Sequence, residues 1–505
     1  MGSEAPAIQQ HSSSWALFST VMNVLGRAAT LVAWLFLTPY ILMHLGTEEF
    51  GVWILVGAIA GYLRLVELGV GSGVTRTIRR QSAGGDVDGM SRTVSSATRA
   101  YLRLGAYSLP IAVLAGPIAG RIWSHELTYL VPVAGVAVVL GLPSLVPVAA
   151  LGGLGRFGLA NGIAVLGMGL FALLIIIVIE NDLGLGALVL VEGLASAVTT
   201  IPGLILLRRA APGIRLRRED ADAETARELL RFGRPLFGVT LSAQLQSQSD
   251  ELLIGLLGSA SAVTPYALSR RIAEVPRVAA TSFGRIILPV AAGVADDPSQ
   301  VRQVFVASTR VTLAMVLATT CPLLPLARPF LSTWAGPQYV RDVEVSWILL
   351  LATAIELVSW PAGSILQAIV RHGILARQAI ICAAINIGFS ILLFRPYGVA
   401  GVAFATILSS VVGTIIVVRA TLREIDLSLR RFLAQAIGPP TIAALPTLVA
   451  GWALTSAVAP TSLLTIAAVG AMSGLVYVAV YLVLPAASLE RELVRSLVRR
   501  VLARS

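Results

Sequence analysis

Apolar stretches of at least twenty residues follow one another along almost the whole chain of 505 residues. A membrane-spanning helix needs about 20 mostly apolar residues, and continuous rather than alternating apolar runs argue against membrane strands. Hydrophobic residues make up 56% of the chain and charged residues 13%, about half the usual share of a soluble protein. The fourteen predicted spans are 17–43, 50–74, 100–120, 128–151, 159–180, 184–207, 235–257, 262–292, 306–328, 343–369, 374–394, 398–419, 437–458 and 462–484. The sequence therefore predicts an all-α polytopic membrane protein with about fourteen transmembrane helices.

Arginine provides all 38 basic residues, and most of them lie in alternate loops between the predicted spans. If the N-terminus is inside, the outer loops contain four arginines, which are Arg121, Arg328, Arg341 and Arg395. Loops rich in arginine remain on the cytoplasmic side of a membrane. The pattern predicts that both termini are cytoplasmic, and it accounts for the net charge of +11 without a nucleic-acid partner.

A long polar segment after the sixth span predicts a division into two lobes of six helices, followed by two C-terminal helices. The predicted N-lobe is 1–207, a cytoplasmic linker follows at 208–234, and the predicted C-lobe is 235–420. After it come a cytoplasmic loop at 421–436, the last two helices at 437–485 and a cytoplasmic amphipathic tail at 486–505. A shift of 213 residues places Arg64 on Arg277, each eleven residues after an aromatic residue, Trp53 or Tyr266, in the second span of its lobe. Within the linker, Ala221–Phe232 has a mixed-charge helical pattern.

A charge inside an apolar span costs roughly 2.5–3.5 kcal/mol even on lenient insertion scales. The arginines inside such spans that we take as candidate site residues are Arg27, Arg64, Arg270, Arg271 and Arg277. Against Glu67 and Glu274 they leave an expected surplus of three positive charges, which Asp250 and Glu251 reduce if they point inward. The arginine fork binds phosphate oxygens bidentately, so the surplus favours an anion site, and a lipid diphosphate can leave its tail in the bilayer. The alternative is ion pairing with a purely structural role.

Other kinds of site have little support in the sequence. A Walker A motif is absent, and the four histidines, His11, His44, His125 and His372, lack metal-ligand spacing. We therefore predict no metal and no cofactor. Cys321 and Cys382 both lie in apolar spans, so no disulfide framework is expected. The glycine-rich segment Gly69–Gly73 favours close helix packing over phosphate binding.

Several motifs resemble those of one transporter family. Three segments around the second span are similar to the second-helix signature of bacterial polysaccharide transporters. They are Glu49-Phe-Gly-Val-Trp53, Gly61-Tyr62-Leu63 and Glu67-Leu-Gly-Val-Gly-Ser-Gly73. Those proteins are the O-antigen and lipid-linked oligosaccharide flippases of the multidrug/oligosaccharidyl-lipid/polysaccharide exporter superfamily. Ser249–Gly255 in span seven is similar to a second, weaker motif of the same family. The acidic position of the first motif is often Asp in the family and is Glu67 here.

The resemblance implies two lobes around a central cavity and transport by alternating access. It also implies a non-enzymatic flippase in the bacterial cytoplasmic (inner) membrane, which moves an undecaprenyl-diphosphate-linked glycan for polysaccharide or lipopolysaccharide biosynthesis. Polysaccharide polymerase and assembly proteins are the expected partners. Lipid II flippases of the superfamily place cavity arginines on helices one, two and eight, the helices of Arg27, Arg64 and the Arg270–Arg277 group. The carboxylates of Glu67, Asp250 and Glu274 are candidates for coupling to H⁺ or Na⁺, or for orienting the arginines.

Three alternative functions remain open at this stage. A lipid II flippase would use the same arginines. An ion-coupled multidrug-type exporter would need a cavity dominated by carboxylates and aromatic residues, against which the expected arginine surplus argues. A membrane glycosyltransferase or polymerase would need a catalytic acid/base set or a large outer loop, and neither is visible in the sequence.

Overall fold

The computed structural model describes residues 13–485, apart from the side chains of 13–29, 234–240, 242, 243, 246, 247, 282, 285 and 372. The predicted tail, 486–505, therefore lies outside the described residues. Every regular element of the described chain is helical. The α-helices are α1 Ser13–Leu63, α2 Val70–Ala83, α3 Val87–Ile122, α4 Leu127–Gly141, α5 Leu145–Gly153, α6 Phe157–Glu180, α7 Gly184–Ala210, α8 Ala223–Leu257, α9 Ala260–Gly293, α10 Pro298–Trp334, α11 Val343–Ala368, α12 His372–Glu424, α13 Leu429–Phe432, α14 Gly438–Val458 and α15 Leu463–Val483.

Two of these helices, α1 and α12, each consist of two helices that meet at a glycine. The backbone leaves the helical region at Gly46 (φ 74°, ψ 179°) and at Gly398 (φ 54°, ψ −135°). The 53 residues of α12 would otherwise extend about 80 Å, more than twice the apolar thickness of a bilayer. Each of these two helices therefore supplies two membrane-length segments.

The predicted all-helical fold is confirmed within the described part of the chain, and its long helices can accommodate the predicted spans. Ten helical regions are long and apolar enough to cross a membrane, and two of them contain Gly46 and Gly398. The helices α8 and α9 complete the set of fourteen. They carry the charged residues of the candidate site within their length, which explains their lower hydropathy.

The chain divides into two compact units, Met1–Leu241 and Ser242–Ser505. In the first unit, α4 packs against α3 and α7, α1 packs against α6 and α4, and α2 packs against α5 and α3. In the second unit, α11 is central and packs against α9, α10 and α12, while α14 and α15 pack against α10. The unit boundary falls inside α8, so one continuous helix contributes to both units.

The polar segment between α7 and α8 is anchored to α3 by three serine side chains. The backbone N–H groups of Arg215, Arg217 and Asp222 donate to the hydroxyls of Ser91 (3.0 Å), Ser95 (3.2 Å) and Ser96 (2.9 Å), respectively. All three serines are buried. The helical pattern predicted for Ala221–Phe232 is present as the first turns of α8, because this helix begins at Ala223.

The glycine-rich segment after the second span packs closely against this first part of α8. The residues Leu68 (φ 49°) and Gly69 (φ 71°) are both left-handed and separate the turn Arg64–Glu67 from α2. A Cβ atom at Gly69 would lie 3.0 Å from the backbone of Gly233. The prediction of close packing through small residues is therefore confirmed here.

We expect Gly69→Ala to destabilise the protein more than Gly155→Ala. Both glycines have positive φ, at 71° and 73°, so each substitution adds left-handed strain of roughly 1–2 kcal/mol. Only the Gly69 variant also forces a Cβ atom against the Gly233 backbone, because nothing lies within 4 Å of a Cβ atom at Gly155. Thermal unfolding in detergent should give a clearly lower Tm for Gly69→Ala, and equal Tm values would contradict the packing interpretation.

Candidate functional site

The predicted site residues fall in two groups, one in each unit. Arg27, Arg64 and Glu67 belong to the first unit, and Asp250, Arg270, Arg271, Glu274 and Arg277 belong to the second. The backbone of Arg27 is part of α1, but its side chain lies outside the described residues. The other side chains can be placed individually.

In the first unit, Arg64 forms an ion pair with Glu192 of α7. Both side chains are about half exposed, at 45% and 51%. An ionised pair on membrane helices is costly in hydrocarbon, so this face is expected to meet water or a polar ligand. Glu192 lies in the middle of an apolar span and was missed in the sequence, although the rule that identified the arginines applies to it equally.

Glu67 has a different partner from the one expected. Its carboxylate accepts a hydrogen bond from the hydroxyl of Tyr101 on α3 (3.2 Å) and another from the backbone N–H of Gly71. Gly71 is in the first turn of α2, where free N–H groups and the helix dipole favour a negative charge. The expectation that Glu67 orients Arg64 is therefore wrong, and this carboxylate stabilises the start of α2 beside the break in span two.

In the second unit, the whole fork of Arg277 is engaged by carboxylates. Its Nη1 and Nη2 atoms donate to Oε1 and Oε2 of Glu356 on α11, at 3.0 and 2.9 Å. Its Nε atom lies 3.5 Å from Glu274, one turn earlier on α9. The side chains of Arg277, Glu356 and Glu274 retain 29%, 24% and 33% exposure, so the pair is accessible at one side.

A second, more deeply buried pair joins α8 and α9. Arg270 donates to the carboxylate of Glu251, whose side chain is only 5% exposed. The neighbouring Arg271 interacts electrostatically with Arg270, Glu251 and Glu274. Glu251 thus points inward, as the sequence argument allowed.

The expected surplus of positive charge is not present among the described side chains. The four described arginines of the site are accompanied by six carboxylates, which are Glu67, Glu192, Asp250, Glu251, Glu274 and Glu356. The earlier count was wrong because Glu192 and Glu356 were omitted and because helix neighbours were unknown. An anion at Arg64, Arg270 or Arg277 must therefore compete with the carboxylate that is already paired with that arginine.

A separate polar cluster surrounds Asp250 in the second unit. One carboxylate oxygen, Oδ2, accepts hydrogen bonds from Tyr266 of α9 and from the hydroxyl of Thr406 (3.1 Å) on α12. The amide of Asn386, on the first half of α12, donates to the same hydroxyl at 3.3 Å. Ser390 lies one turn further along α12.

Oδ1 of Asp250 and Oδ1 of Asn386 are buried without a hydrogen-bond partner, and so is Oγ of Ser390, one turn beyond Asn386. Their residues are 5%, 4% and 0% exposed. Hard cations prefer carboxylate, amide and hydroxyl oxygens, so these residues form a candidate site for a small cation. Within the described residues, no group of three His, Cys, Asp or Glu side chains is placed to hold a metal ion.

Comparison with known proteins places the chain among glycan-related membrane proteins. The profile of a family described as polysaccharide biosynthesis protein matches residues 44–344. A curated relative, the probable low-salt glycan biosynthesis flippase Agl15 of Haloferax volcanii, is 22% identical over 195 residues. That match covers 38% of this chain and 41% of the relative, so the chain spans less than half the length of this relative.

Solved structures with the same fold cover nearly the whole chain. The lipid II flippase MurJ in an inward closed conformation has a TM-score of 0.67 at 14% sequence identity. The superposition covers 93% of this chain and 98% of the MurJ chain. An inward-facing multidrug resistance MATE family transporter of the MOP superfamily has a TM-score of 0.63 at 17% identity, with coverages of 83% and 96%. These similarities establish the fold.

We expect loss of the buried carboxylate to destabilise the protein far more than loss of the half-exposed one. Glu251→Ala leaves Arg270 without its counter-ion in a buried site, which costs about 3–5 kcal/mol. Glu192→Ala breaks a half-exposed pair with Arg64, which costs about 0–1 kcal/mol where water is present. Thermal unfolding in detergent and in nanodiscs measures both. A large loss of stability for Glu192→Ala in nanodiscs would place the Arg64 pair in hydrocarbon and contradict a wet face.

Proposed function

Because this chain belongs to the polysaccharide biosynthesis protein family, we propose that it is a flippase for a lipid-diphosphate-linked oligosaccharide, such as a polysaccharide repeat unit. The protein would move this substrate across the cytoplasmic (inner) membrane by alternating access, without catalysing a chemical reaction. The observation that carries the proposal is the family match over residues 44–344, which includes Arg64 and the Arg270–Arg277 group. The MurJ- and MATE-like fold supports a transporter.

The geometry supports arginine as the residue that holds the diphosphate. Arg64 in the first unit and Arg277 in the second each lie on a membrane helix with a partly exposed side chain. A guanidinium remains charged at any physiological pH and offers two parallel donors to phosphate oxygens. Arg27, Arg270 and Arg271 complete the proposed binding set. The buried pair of Arg270 with Glu251 supports a structural contribution from Arg270 as well.

We further propose that Na⁺ binds at Asp250 and couples transport to an ion gradient. Oδ1 of Asp250 is buried without a hydrogen-bond partner, and a carboxylate oxygen is a preferred ligand of a hard cation such as Na⁺. Asn386, Ser390 and Thr406 would supply the remaining ligands. Glu274 already interacts with Arg277, and Glu67 with Tyr101 and α2, so Asp250 is the better candidate of the three predicted carboxylates.

The glycan, the orientation and the partners are also proposals. An undecaprenyl diphosphate carrier, cytoplasmic termini and an association with polysaccharide polymerase or assembly proteins fit the distribution of arginines and the family. Lipid II remains the second candidate substrate, because the MurJ-like fold does not distinguish between saccharides. A multidrug-type exporter is the third, and the six carboxylates of the site make it a stronger rival than the sequence suggested.

Arg64→Ala and Arg277→Ala should each abolish complementation in cells that lack this protein. Loss of a charged, bidentate phosphate contact is expected to reduce substrate binding roughly tenfold to hundredfold. The measurements are surface polysaccharide and the lipid-linked saccharide that accumulates on the inner leaflet. Arg341→Ala is the matched control, because Arg341 is exposed in the turn before α11.

The outcome also separates the rival functions. Accumulation of lipid II in the deletion strain would identify a cell-wall substrate, and increased drug sensitivity without any accumulated saccharide would identify a multidrug exporter. Full complementation by both arginine variants, at normal membrane levels, would remove the anion-site proposal.

NaCl should raise the Tm of the wild-type protein relative to choline chloride at equal ionic strength, and Asp250→Asn should abolish that difference. A ligand that binds only the folded state stabilises it, by about 2.7 kcal/mol at a concentration of 100 Kd. Asp296→Asn is the control, because Asp296 is exposed between α9 and α10. If Na⁺ has no effect but Asp250→Asn alters the pH dependence of transport, the coupling ion is a proton.

A further inference from the structure

The two partly exposed ion pairs use the arginine donors that a phosphate would need. Both Nη atoms of Arg277 donate to the two oxygens of Glu356, in the parallel geometry that a phosphate group adopts with arginine. Glu356 and a phosphate therefore cannot occupy this edge of the guanidinium together. In the first unit, Glu192 pairs with Arg64 through a single contact between its Oε2 atom and Nη2 of the arginine, so a phosphate would compete with it for that donor.

The exposure of the carboxylate distinguishes the Arg277–Glu356 and Arg64–Glu192 pairs from the Arg270–Glu251 pair. The side chain of Glu251 is only 5% exposed beside Arg270, whereas those of Glu356 and Glu192 are 24% and 51% exposed. A buried carboxylate cannot leave its arginine without a large desolvation penalty, but a partly exposed carboxylate can be solvated when it is displaced. The pairs of Arg277 and Arg64 are therefore the exchangeable ones.

The packing around Glu356 would return it to the same place after displacement. Two further contacts join α9 and α11 on either side of the Arg277 pair. The hydroxyl of Ser346 donates to that of Ser269 at 2.9 Å, and the ring of Trp360 lies 3.5 Å from where a Cβ atom of Gly284 would be. Since both contacts are independent of the ion pair, the distance between the helices does not depend on Glu356.

We propose that Glu356 is a resident counter-ion, which the diphosphate displaces from Arg277 and which returns when the substrate is released. Glu192 has the same role toward Arg64. The inference rests on the proposed function and names a positioning device within that site. Because the energy of each ion pair is subtracted from the binding energy of the diphosphate, the carboxylates keep affinity low enough for release after translocation.

Purified protein in detergent tests the proposal with farnesyl diphosphate as the probe and farnesol as its uncharged counterpart. Glu356→Gln retains the size of the side chain but removes the competing charge, so farnesyl diphosphate should bind roughly tenfold more tightly. Transport should show a lower KM together with a lower kcat, because release becomes slow. Glu344→Gln is the matched control, since Glu344 is an exposed residue in the first turn of the same helix.

A merely structural role predicts different results. If Glu356 only holds Arg277 in place, Glu356→Gln binds farnesyl diphosphate equally or less well and its KM does not fall. That result overturns the proposal while the flippase function stands. If the wild-type protein binds farnesyl diphosphate and farnesol with equal affinity, the proposed diphosphate site is contradicted. The counter-ion proposal, which depends on that site, is then contradicted as well.

A measurement on the unaltered protein covers the case in which the Gln variant does not fold. Glu356 should react more readily with a hydrophobic carbodiimide when farnesyl diphosphate is present, because the carboxylate is then released from Arg277. Peptide mass spectrometry measures the labelled fraction at Glu356, with Glu344 as the internal reference. Unchanged labelling of Glu356 at a saturating concentration of bound farnesyl diphosphate overturns the proposal.

Discussion

An arginine in an apolar helix requires a negative partner, and this requirement determines which helices contact one another at the candidate site. Glu192 brings α7 to the end of the second span, Glu251 joins α8 to α9, and Glu356 joins α9 to α11. Each pair lies within one unit. The arginine donors that stabilise these contacts are also suited to phosphate, so packing and ligand chemistry share the same atoms.

The motif that resembles the polysaccharide transporters has a structural explanation in the first unit. Glu67 stabilises the start of α2, the left-handed residues Leu68 and Gly69 interrupt the span, and the glycines allow α8 to approach. Interrupted membrane helices occur where transporters bind their ligands, because exposed backbone groups are tolerated only beside protein or water. The motif therefore shapes the backbone next to Arg64.

Sequence reasoning failed mainly in the pairing of charges. Glu192 and Glu356 lie inside predicted spans, and the rule applied to Arg64 and Arg277 would have identified them. Even so, the sequence could not have shown which arginine each of these carboxylates pairs with. The alignment of Arg64 with Arg277 suggests equivalent sites, yet their partners lie on the sixth and the tenth predicted spans, which are not equivalent helices of two six-helix lobes.

The sequence by itself determined the all-helical membrane fold and its predicted spans. The length of an apolar run can be read from the sequence and compared directly with the thickness of a bilayer. The sequence also identified the arginines, since a charge in an apolar run is visible without a structure. Only the tertiary structure decided which carboxylate neutralises each arginine and which oxygens gather around Asp250. Those contacts join residues up to 156 positions apart, and their geometry depends on how helices pack rather than on any local pattern.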